Sequence, residues 1–399
     1  MQSVRKVTEQ VYWVGASDRR ISRFENMFPL PNGVAYNSYL VLDEKTAILD
    51  TVDSSVSAQY LENVTHVLNG RTLDYLVINH MEPDHCANIE ELIRRYPNVK
   101  VVGNKMTFQF FRQYYTMDIS ANQLEVKEGQ ELSLGRTTLR FYMAPMVHWP
   151  EVMMTYEVTG QILFSADAFG AFGAHSGNLF ADEIDIENVF LDEARRYYAN
   201  IVGRFGPQVQ AALNKLRELP IQIICPLHGP IWRENIWYLL EKYDRWSQYV
   251  PELKGVVLFY ASMYGNTENA MLALSNKLAE RGVTDMRMYD VSNTHASYII
   301  ADVWKYSHFV IGSPTYNMSL YYGMDAVLQE LSVLNMQNRS AAIIGNHTWA
   351  SAALKAMEER LHAMKQITIL GTMDIRSSLK SEQELDALAD VIAASVLAP

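Results

Sequence analysis

Potential metal ligands are concentrated at residues 80–85, where the sequence reads HMEPDH. The apolar residues 76–78, LVI, come just before this group and predict a buried strand. Given the composition, the pattern His-x-Glu-x-Asp-His should arise by chance in roughly one chain in a thousand. Side chains at a strand end and in the turn after it can converge on one point. His80 and Glu82 can therefore serve one metal ion, while Asp84 and His85 serve a second.

Three further candidate ligands follow apolar segments later in the chain: His148, Asp167 and His228. A carboxylate can bridge two cations, and Asp167, placed directly after a predicted strand, is the natural bridge. An isolated aspartate after a strand is usually a turn former or a helix cap, but seven ordered candidates favour a binuclear centre. Imidazole ligands suit zinc, whereas the added carboxylates favour a harder, redox-active metal such as iron.

The elements that must position these residues lie before residue 250. Strand-like stretches occur at residues 37–52, 73–79, 99–103, 139–144, 153–158 and 221–224, with helical patterns at 55–68, 192–219 and 236–249. This pattern predicts a layered α/β domain with much antiparallel sheet. A proline-led stretch at residues 251–254 reads as a linker, so the first domain is predicted to cover residues 1–250.

Strands and helices alternate strictly in the second part of the chain, residues 251–399. Predicted strands lie at 255–261, 285–289, 309–313, 341–345 and 367–370, and the last predicted helix covers 382–397. Such alternation indicates right-handed crossovers and a doubly wound parallel sheet. Ligands of these sheets bind at the carboxyl ends of the strands, where the strand order reverses.

A phosphate-binding loop is predicted directly after the first of these strands. Its residues are Ser262, Met263, Tyr264, Gly265, Asn266 and Thr267. Phosphate binding requires inward N–H groups, hydroxyl donors and the positive end of a helix dipole. Ser262, Asn266 and Thr267 supply donors, and Gly265 allows a tight turn. The structural alternative is a Gly-Asn turn followed by a threonine helix cap.

Two more loops lie at carboxyl strand ends. One contains Pro314, Thr315, Tyr316 and Asn317, and the other contains Gly345, Asn346, His347, Thr348 and Trp349. Both resemble the loops that enclose the ring of flavin mononucleotide (FMN) in flavodoxins. Aromatic side chains in such loops stack on the ring or border its edges. The dinucleotide fingerprint Gly-x-Gly-x-x-Gly is absent from the sequence, so direct nicotinamide binding is not supported.

Composition and charge limit the partners. The 399 residues carry a net charge of −11, which argues against nucleic acid and anionic membranes but leaves a small, charge-steered protein partner open. No apolar run reaches the roughly 20 residues needed to cross a bilayer, and the N-terminal residues lack the pattern of a signal peptide. The expected location is the cytoplasm. The two cysteines, Cys86 and Cys225, cannot hold an iron–sulfur cluster by themselves.

The order and spacing of the ligands resemble the metallo-β-lactamase superfamily. Its hydrolases carry His-x-His-x-Asp-His, whereas this chain has Glu82 at the second position. A glutamate there and an attached flavodoxin domain resemble the flavodiiron proteins, also called A-type flavoproteins, over essentially the whole chain. The resemblance implies a metallo-β-lactamase-like αββα sandwich followed by a flavodoxin-like doubly wound parallel sheet.

The resemblance also implies how the residues are used. Two iron ions with an oxo or hydroxo bridge are expected, one bound by His80, Glu82 and His148, the other by Asp84, His85 and His228, with Asp167 bridging. One of Tyr197 and Tyr198 is expected near the irons as a hydrogen-bond or proton donor, with Tyr197 favoured and core packing as the alternative. Some relatives place a His and a Tyr where this chain reads FENMFP, residues 24–29, so the preference for oxygen or nitric oxide stays open.

The implied function is a flavodiiron oxidoreductase. Electrons enter at FMN and pass to the diiron site, which reduces O2 to water, NO to N2O, or both. The sequence after the flavodoxin domain holds no rubredoxin-like cysteine pair, so the donor is expected to be separate, a rubredoxin or a reduced deazaflavin. A head-to-tail homodimer, or a dimer of dimers, is also implied. The alternatives are a zinc-dependent hydrolase of the metallo-β-lactamase type fused to a flavodoxin domain, and an electron carrier whose first domain is a relic.

Overall fold

The structure, a computed structural model, describes residues 2–398 and divides them into two compact units. The first unit combines the described residues up to Tyr198 with Pro207–Asp244, and the second combines Ala199–Gly206 with the residues from Arg245 onward. The chain therefore passes between the units three times. Within residues 2–398, no helix is both long enough and apolar enough to span a membrane.

Two main sheets organise the first unit. Its strands are β1 (Arg5–Lys6), β2 (Val11–Trp13), β3 (Ala16–Asp18), β4 (Arg23–Phe24), β5 (Phe28–Pro29), β6 (Val34–Tyr36), β7 (Tyr39–Leu42), β8 (Thr46–Leu49), β9 (Tyr75–Val77), β10 (Lys100–Gly103), β11 (Gln123–Glu125), β12 (Glu131–Ser133), β13 (Thr138–Met143), β14 (Met153–Glu157), β15 (Ile162–Phe164) and β16 (Ile223–Cys225). One sheet has the order β1-β2-β7-β8-β9-β10-β11 and the other β12-β13-β14-β15-β16. Strands β3 and β6, and strands β4 and β5, form small antiparallel pairs.

The core of the first unit lies between its two sheets. Tyr39, Leu49 and Val77 of the seven-stranded sheet belong to the same buried cluster as Phe141 and Phe164 of the five-stranded sheet. Successive side chains of a strand point to opposite faces, so each sheet turns one apolar face inward. Both sheets contain parallel and antiparallel neighbours. The predicted layered α/β arrangement is confirmed.

Helices connect these strands: α1 (Ser57–Leu68), α2 (Pro83–Cys86), α3 (Ile89–Arg95), α4 (Lys105–Tyr114), α5 (Leu191–Tyr197), α6 (Gly206–Leu216) and α7 (Ile236–Ser247). The helical pattern predicted over residues 192–219 corresponds to two helices and not to one continuous helix. A π-helical segment, Tyr198–Val202, and a 3₁₀ turn, Gly203–Phe205, separate α5 from α6. Pro207, which has no backbone N–H to bond to the preceding turn, follows at the start of α6. These changes of helix type cannot be predicted from the spacing of apolar residues in the sequence.

The second unit contains a doubly wound sheet. Its strands are β17 (Leu253–Tyr260), β18 (Met286–Asp290), β19 (Tyr306–Tyr316), β20 (Ser319–Leu320), β21 (Arg339–His347) and β22 (Ile367–Arg376), and its helices are α8 (Asn266–Glu280), α9 (Ala296–Lys305), α10 (Tyr322–Val333), α11 (Ala353–His362) and α12 (Gln383–Leu397). The order β18-β17-β19-β21-β22 is parallel throughout, as predicted. The order reverses between β17 and β19, which marks the ligand-binding edge. Residues 253 and 254, predicted as linker, already belong to β17.

Candidate functional site

All seven predicted metal ligands lie in segments that follow strands of the first unit. His80 follows β9, and Asp84 and His85 lie on the four-residue helix α2, which begins with Pro83. His148 lies in the loop after β13, Asp167 after β15 and His228 after β16. Because β15 and β16 are parallel neighbours, Asp167 and His228 leave the sheet at the same edge.

The structure brings the ligands together in two groups. His80, Glu82, His148 and Asp167 form one group and Asp84, His85 and His228 form the other, and in each group the ligand atoms lie within 4.8 Å of one another. Asp167 connects the groups. Its Oδ2 lies 3.1 Å from Nε2 of His148, and its Oδ1 lies 3.1 Å from Nε2 of His85.

The second group brings three potential ligand atoms close together. Nε2 of His85 and Nε2 of His228 are 3.1 Å apart, and each lies 3.3 Å from Oδ2 of Asp84. Among residues 2–398, both carboxylate oxygens of Asp84 and Oδ1 of Asp167 are buried without a hydrogen-bond partner. Buried polar atoms are nearly always bonded, so these orphaned oxygens fit the binding of a cation.

Outer hydrogen bonds fix the orientation of two of the imidazoles in the cluster. Nδ1–H of His228 donates to the carbonyl oxygen of Ala35 at 2.8 Å, and Nδ1–H of His80 donates to Oε1 of Glu151 at 2.7 Å. With the proton on Nδ1, Nε2 presents its lone pair to the ligand group. Lone pairs of imidazoles and carboxylates that face each other repel unless a cation lies between them. The donor set therefore fits two divalent metal ions.

The electrostatics of the cluster lead to the same conclusion. Burial lowers the pKa of His148, but hydrogen bonds with Asp167 and Glu82 more than offset this and raise it to about 9. His85 behaves in the same way: burial lowers its pKa, while the charges of Asp84 and Asp167 raise it to about 9. A pKa shift of this sign means that the carboxylates create a negative field that stabilises positive charge at this position.

Glu151 supports the site although no role was predicted for it. Its Oε1 accepts from His80 Nδ1 and also from the backbone N–H of Met81 at 2.9 Å, and the residue is buried. Asp50 fixes the backbone just before His80. Its carboxylate accepts hydrogen bonds from both nitrogen atoms of Asn79 at 2.7 Å and from the backbone N–H of His80 at 3.1 Å. The only sequence signal for the contact between Glu151 and His80 is the position of a glutamate three residues after His148.

Replacing Glu151 with Gln should weaken metal binding without removing a ligand. The amide can still accept a hydrogen bond from His80, but it no longer supplies the negative charge that makes the imidazole a stronger ligand. We expect a roughly 10- to 100-fold loss of iron affinity, the usual effect of such outer partners, measured by chelator competition. Glu157→Gln, at a buried glutamate of β14 that bonds only to its own turn, is the control. Equal iron affinity of Glu151→Gln and wild type would refute this role.

Of the two predicted tyrosines, Tyr197 is the one beside the ligands. Its ring centroid lies 5.5 Å from that of His228, and its buried hydroxyl has no hydrogen-bond partner in the described chain. Burial and the charges of Asp167 and Glu82 hold the pKa of Tyr197 well above its usual value. Tyr198 packs against Tyr243 instead, with ring centroids 5.0 Å apart.

A cavity of about 620 Å³ opens onto Glu82 and Asp84. It is lined by Arg20, Ile21, Ser22, Arg23, Phe24, Glu25, Asn26, Tyr36, Asp53, Glu82, Pro83 and Asp84. In this cavity, the buried ring of Phe24 meets His228 edge to face, with centroids 5.2 Å apart. Glu25 is exposed as a whole, but partial burial of its carboxyl and a hydrogen bond with Glu82 raise its pKa to about 8. The approach to the cluster is thus partly apolar and partly acidic.

The second unit has the geometry of a phosphate site at the start of α8. Gly265 takes the left-handed conformation, φ 85°, immediately before the helix. Oγ of Ser262 accepts from the N–H groups of Gly265 at 3.1 Å and Glu268 at 3.4 Å. A 15-residue helix with a glycine turn at its N-terminus directs N–H groups and a positive dipole toward an anion.

A cavity of about 250 Å³ extends from this helix end. It is lined by Ser262, Met263, Tyr264, Asn266, Thr267, Pro314, Thr315, Asn317, Met318, Asn346, His347, Thr348, Trp349, Ala350 and Ser377. The structure thus brings most of the predicted FMN residues together, and adds Met318, Ala350 and Ser377. Gly265, Tyr316 and Gly345 are not lining residues. A side chain at Gly345 would collide with Leu354 and Asp374.

The hydroxyl of Thr315 has a structural role that the sequence did not indicate. Its Oγ1 accepts from the backbone N–H groups of Ala352 at 3.0 Å and Ala353 at 3.1 Å, at the start of α11. The hydroxyl therefore connects the C-terminal end of β19 to the segment after β21. These are the two regions predicted to enclose the flavin ring.

Comparison with known proteins identifies both units. The ODP family beta lactamase model matches residues 34–229, and the Flavodoxin model matches residues 258–389. A nitric oxide reductase from Moorella thermoacetica is 33% identical over 362 residues, which cover 90% of this chain and 90% of that protein. The match extends over both units.

Solved structures agree. Rubredoxin oxygen:oxidoreductase from Desulfovibrio gigas matches with a TM-score of 0.92 at 29% identity, covering 99% of this chain and 98% of that chain. The flavodiiron protein from Giardia intestinalis matches with a TM-score of 0.90 at 26% identity, covering 99% and 96%. These findings confirm the predicted metallo-β-lactamase-like and flavodoxin-like folds. The chain is an oxidoreductase with an FMN domain and a diiron domain, and it belongs to the flavodiiron protein family.

Proposed function

We propose that this protein takes electrons from a separate donor into FMN and passes them to its diiron site, where O2 is reduced to water, NO to N2O, or both. The observation that carries the proposal is the seven-ligand cluster with Glu82 in it, in one chain with a flavin cavity. A relative named nitric oxide reductase and a structural neighbour named rubredoxin oxygen:oxidoreductase support both substrates.

In this proposal, one iron is held by His80, Glu82 and His148, the other by Asp84, His85 and His228, and Asp167 bridges them. The irons, when bound, supply the electrons and the binding site for the diatomic gas. The chain contributes the surroundings. Glu82 and Asp84 face the cavity through which the substrate enters, and Phe24 covers His228 with an apolar ring.

Tyr197 is the proposed proton donor. Its hydroxyl is buried beside His228 and has no hydrogen-bond partner among residues 2–398, and its raised pKa keeps the proton on the oxygen at neutral pH. Both reductions consume protons, so this buried hydroxyl can give its proton to the reacting oxygen. The ring also packs against Phe172, with centroids 5.1 Å apart, which fixes its position.

For the second unit, we propose that FMN phosphate binds at Ser262–Thr267 and that the loops carrying Thr315 and Trp349 hold the ring. Residues 1–250 and 251–399 are the proposed functional domains. The proposed electron donor is a rubredoxin or a reduced deazaflavin, the proposed location is the cytoplasm, and the proposed assembly is a head-to-tail homodimer or a dimer of dimers. The rival activity, a zinc-dependent hydrolase fused to a flavodoxin domain, gives the flavin no electron acceptor in the same chain, and the carboxylate of Glu82 favours iron over zinc.

Quantification of metal and flavin separates the two activities. After iron-replete expression, we expect about two irons and one FMN per chain, because seven ligands suit two metal ions and one flavin cavity is present. Chemically reduced protein should then consume O2 or NO under anaerobic handling. Stoichiometric zinc with negligible iron, or no gas consumption by the iron- and FMN-loaded protein, would contradict the proposal.

A further inference from the structure

Three polar side chains form a connected cluster at the wall of the flavin cavity. Nδ1 of His347, at the end of β21, lies 3.1 Å from Oδ1 of Asp374 on the neighbouring strand β22. The hydroxyl of Ser351 donates to Oδ2 of the same carboxylate at 2.6 Å. Gly345 makes room for this arrangement, because a Cβ there would lie 2.8 Å from Oδ1 of Asp374.

This cluster determines which nitrogen of His347 is available. An ionised carboxylate only accepts hydrogen bonds, so Nδ1 of His347 carries the proton that is shared with Asp374. Nε2 has no hydrogen-bond partner among residues 2–398, and His347 lines the cavity. The side chains of His347 and Asp374 are 18% and 27% exposed, so water screens their interaction only in part.

The position of the cluster relates it to the flavin ring. The N-terminus of α8 takes the phosphate end of FMN, which leaves the part of the cavity between the loops after β19 and β21 for the ring. His347 lies in that part, and this step rests on the proposed function because it takes the cavity as the FMN site. The other ionisable groups that face it are Asp374 and Arg376 on β22, and Tyr264 across the cavity.

We propose that His347, oriented by Asp374, holds the second proton taken up when FMN is reduced. The external donor supplies two electrons; one proton binds to the ring, and Nε2 of His347 takes the other. The imidazolium that results would be stabilised by the Asp374 carboxylate and by the negative charge of the reduced ring. When the electrons leave the flavin, both protons are released. Imidazole is the side chain suited to this exchange at neutral pH.

The test is a redox titration of bound FMN in the full-length iron-loaded protein, followed by flavin absorbance at several values between pH 7 and 8. One proton per two electrons lowers the two-electron potential by about 30 mV per pH unit, because a tenfold change in an equilibrium constant is 29.6 mV for such a couple. Wild type should show about 60 mV per pH unit. His347→Gln and Asp374→Asn should show about 30, and His362→Gln, at an exposed histidine of α11, should keep the wild-type value.

The slopes of the variants distinguish the role of His347 from that of Asp374. Equal slopes in wild type and His347→Gln overturn the role of His347, and a reduced slope in His347→Gln alone overturns the orienting role of Asp374. If a variant loses FMN affinity, the titration is run with saturating FMN, and a wild-type slope near 30 mV is by itself sufficient to overturn the proposal. Wild-type protein that binds no FMN would instead contradict the proposed function, so the two failures are distinguishable.

Discussion

Replacement of Glu82 or Asp167 with alanine should abolish iron binding and gas reduction while leaving the FMN content unchanged. Each substitution removes a buried, negatively charged oxygen ligand, and Asp167→Ala also removes the atoms that join the two ligand groups. Removing an outer hydrogen-bond partner of a metal ligand typically lowers metal affinity 10- to 100-fold. Removing a ligand itself should therefore lower the iron affinity more than about 100-fold. Iron is measured by chelator assay and FMN by its absorbance.

The flavin serves as the internal control for folding, because its cavity lies in the other unit. Glu157→Ala is the matched external control: it removes a buried carboxylate from β14 that contacts Thr159 and Gly160 but none of the ligands. It should keep its iron. Full iron content and activity in Glu82→Ala or Asp167→Ala would rule out the ligand role of the residue concerned.

Two inactive variants should regain activity when they form a mixed dimer. One variant lacks FMN binding (Ser262→Asp with Thr267→Asp, which places negative charge at the phosphate site), and the other lacks the diiron site (Glu82→Ala with Asp167→Ala). In a head-to-tail dimer, the intact flavin of one chain faces the intact diiron site of the other. Electron transfer falls steeply with distance, so only facing sites support turnover. We expect about half the wild-type activity per dimer, since one of two flavin–diiron pairs is complete.

The measurement requires proof of the mixed species. Two different affinity tags allow heterodimers to be purified, and each homodimer measured alone should be inactive. Added FMN should not restore the first variant. An absence of activity in confirmed heterodimers would show that flavin and diiron site work within one chain, and a strictly monomeric protein in solution would refute the proposed assembly.

Periodicity predicted the type of most elements but not their continuity. The parallel sheet of the second unit was predicted from strict alternation, and its five main strands lie where the pattern places them. Residues 192–219 show why a helical pattern is insufficient. The apolar spacing continues there, while the backbone changes to π-helical and 3₁₀ hydrogen bonding and residues 199–206 join the other unit. Those changes are decided by packing, which local spacing does not encode.

The sequence by itself indicated which residues are suited to be metal ligands, because chemistry is a property of residue type and HMEPDH is too specific to arise often by chance. Tertiary structure alone decided how these residues act. The proton on His80 is placed by Glu151, 71 residues away, and the proton on His228 by the carbonyl of Ala35, 193 residues away. Tyr197 rather than Tyr198 reaches His228, and Gly345 makes room for Asp374. Such contacts join segments distant in sequence, so only the packed chain defines them.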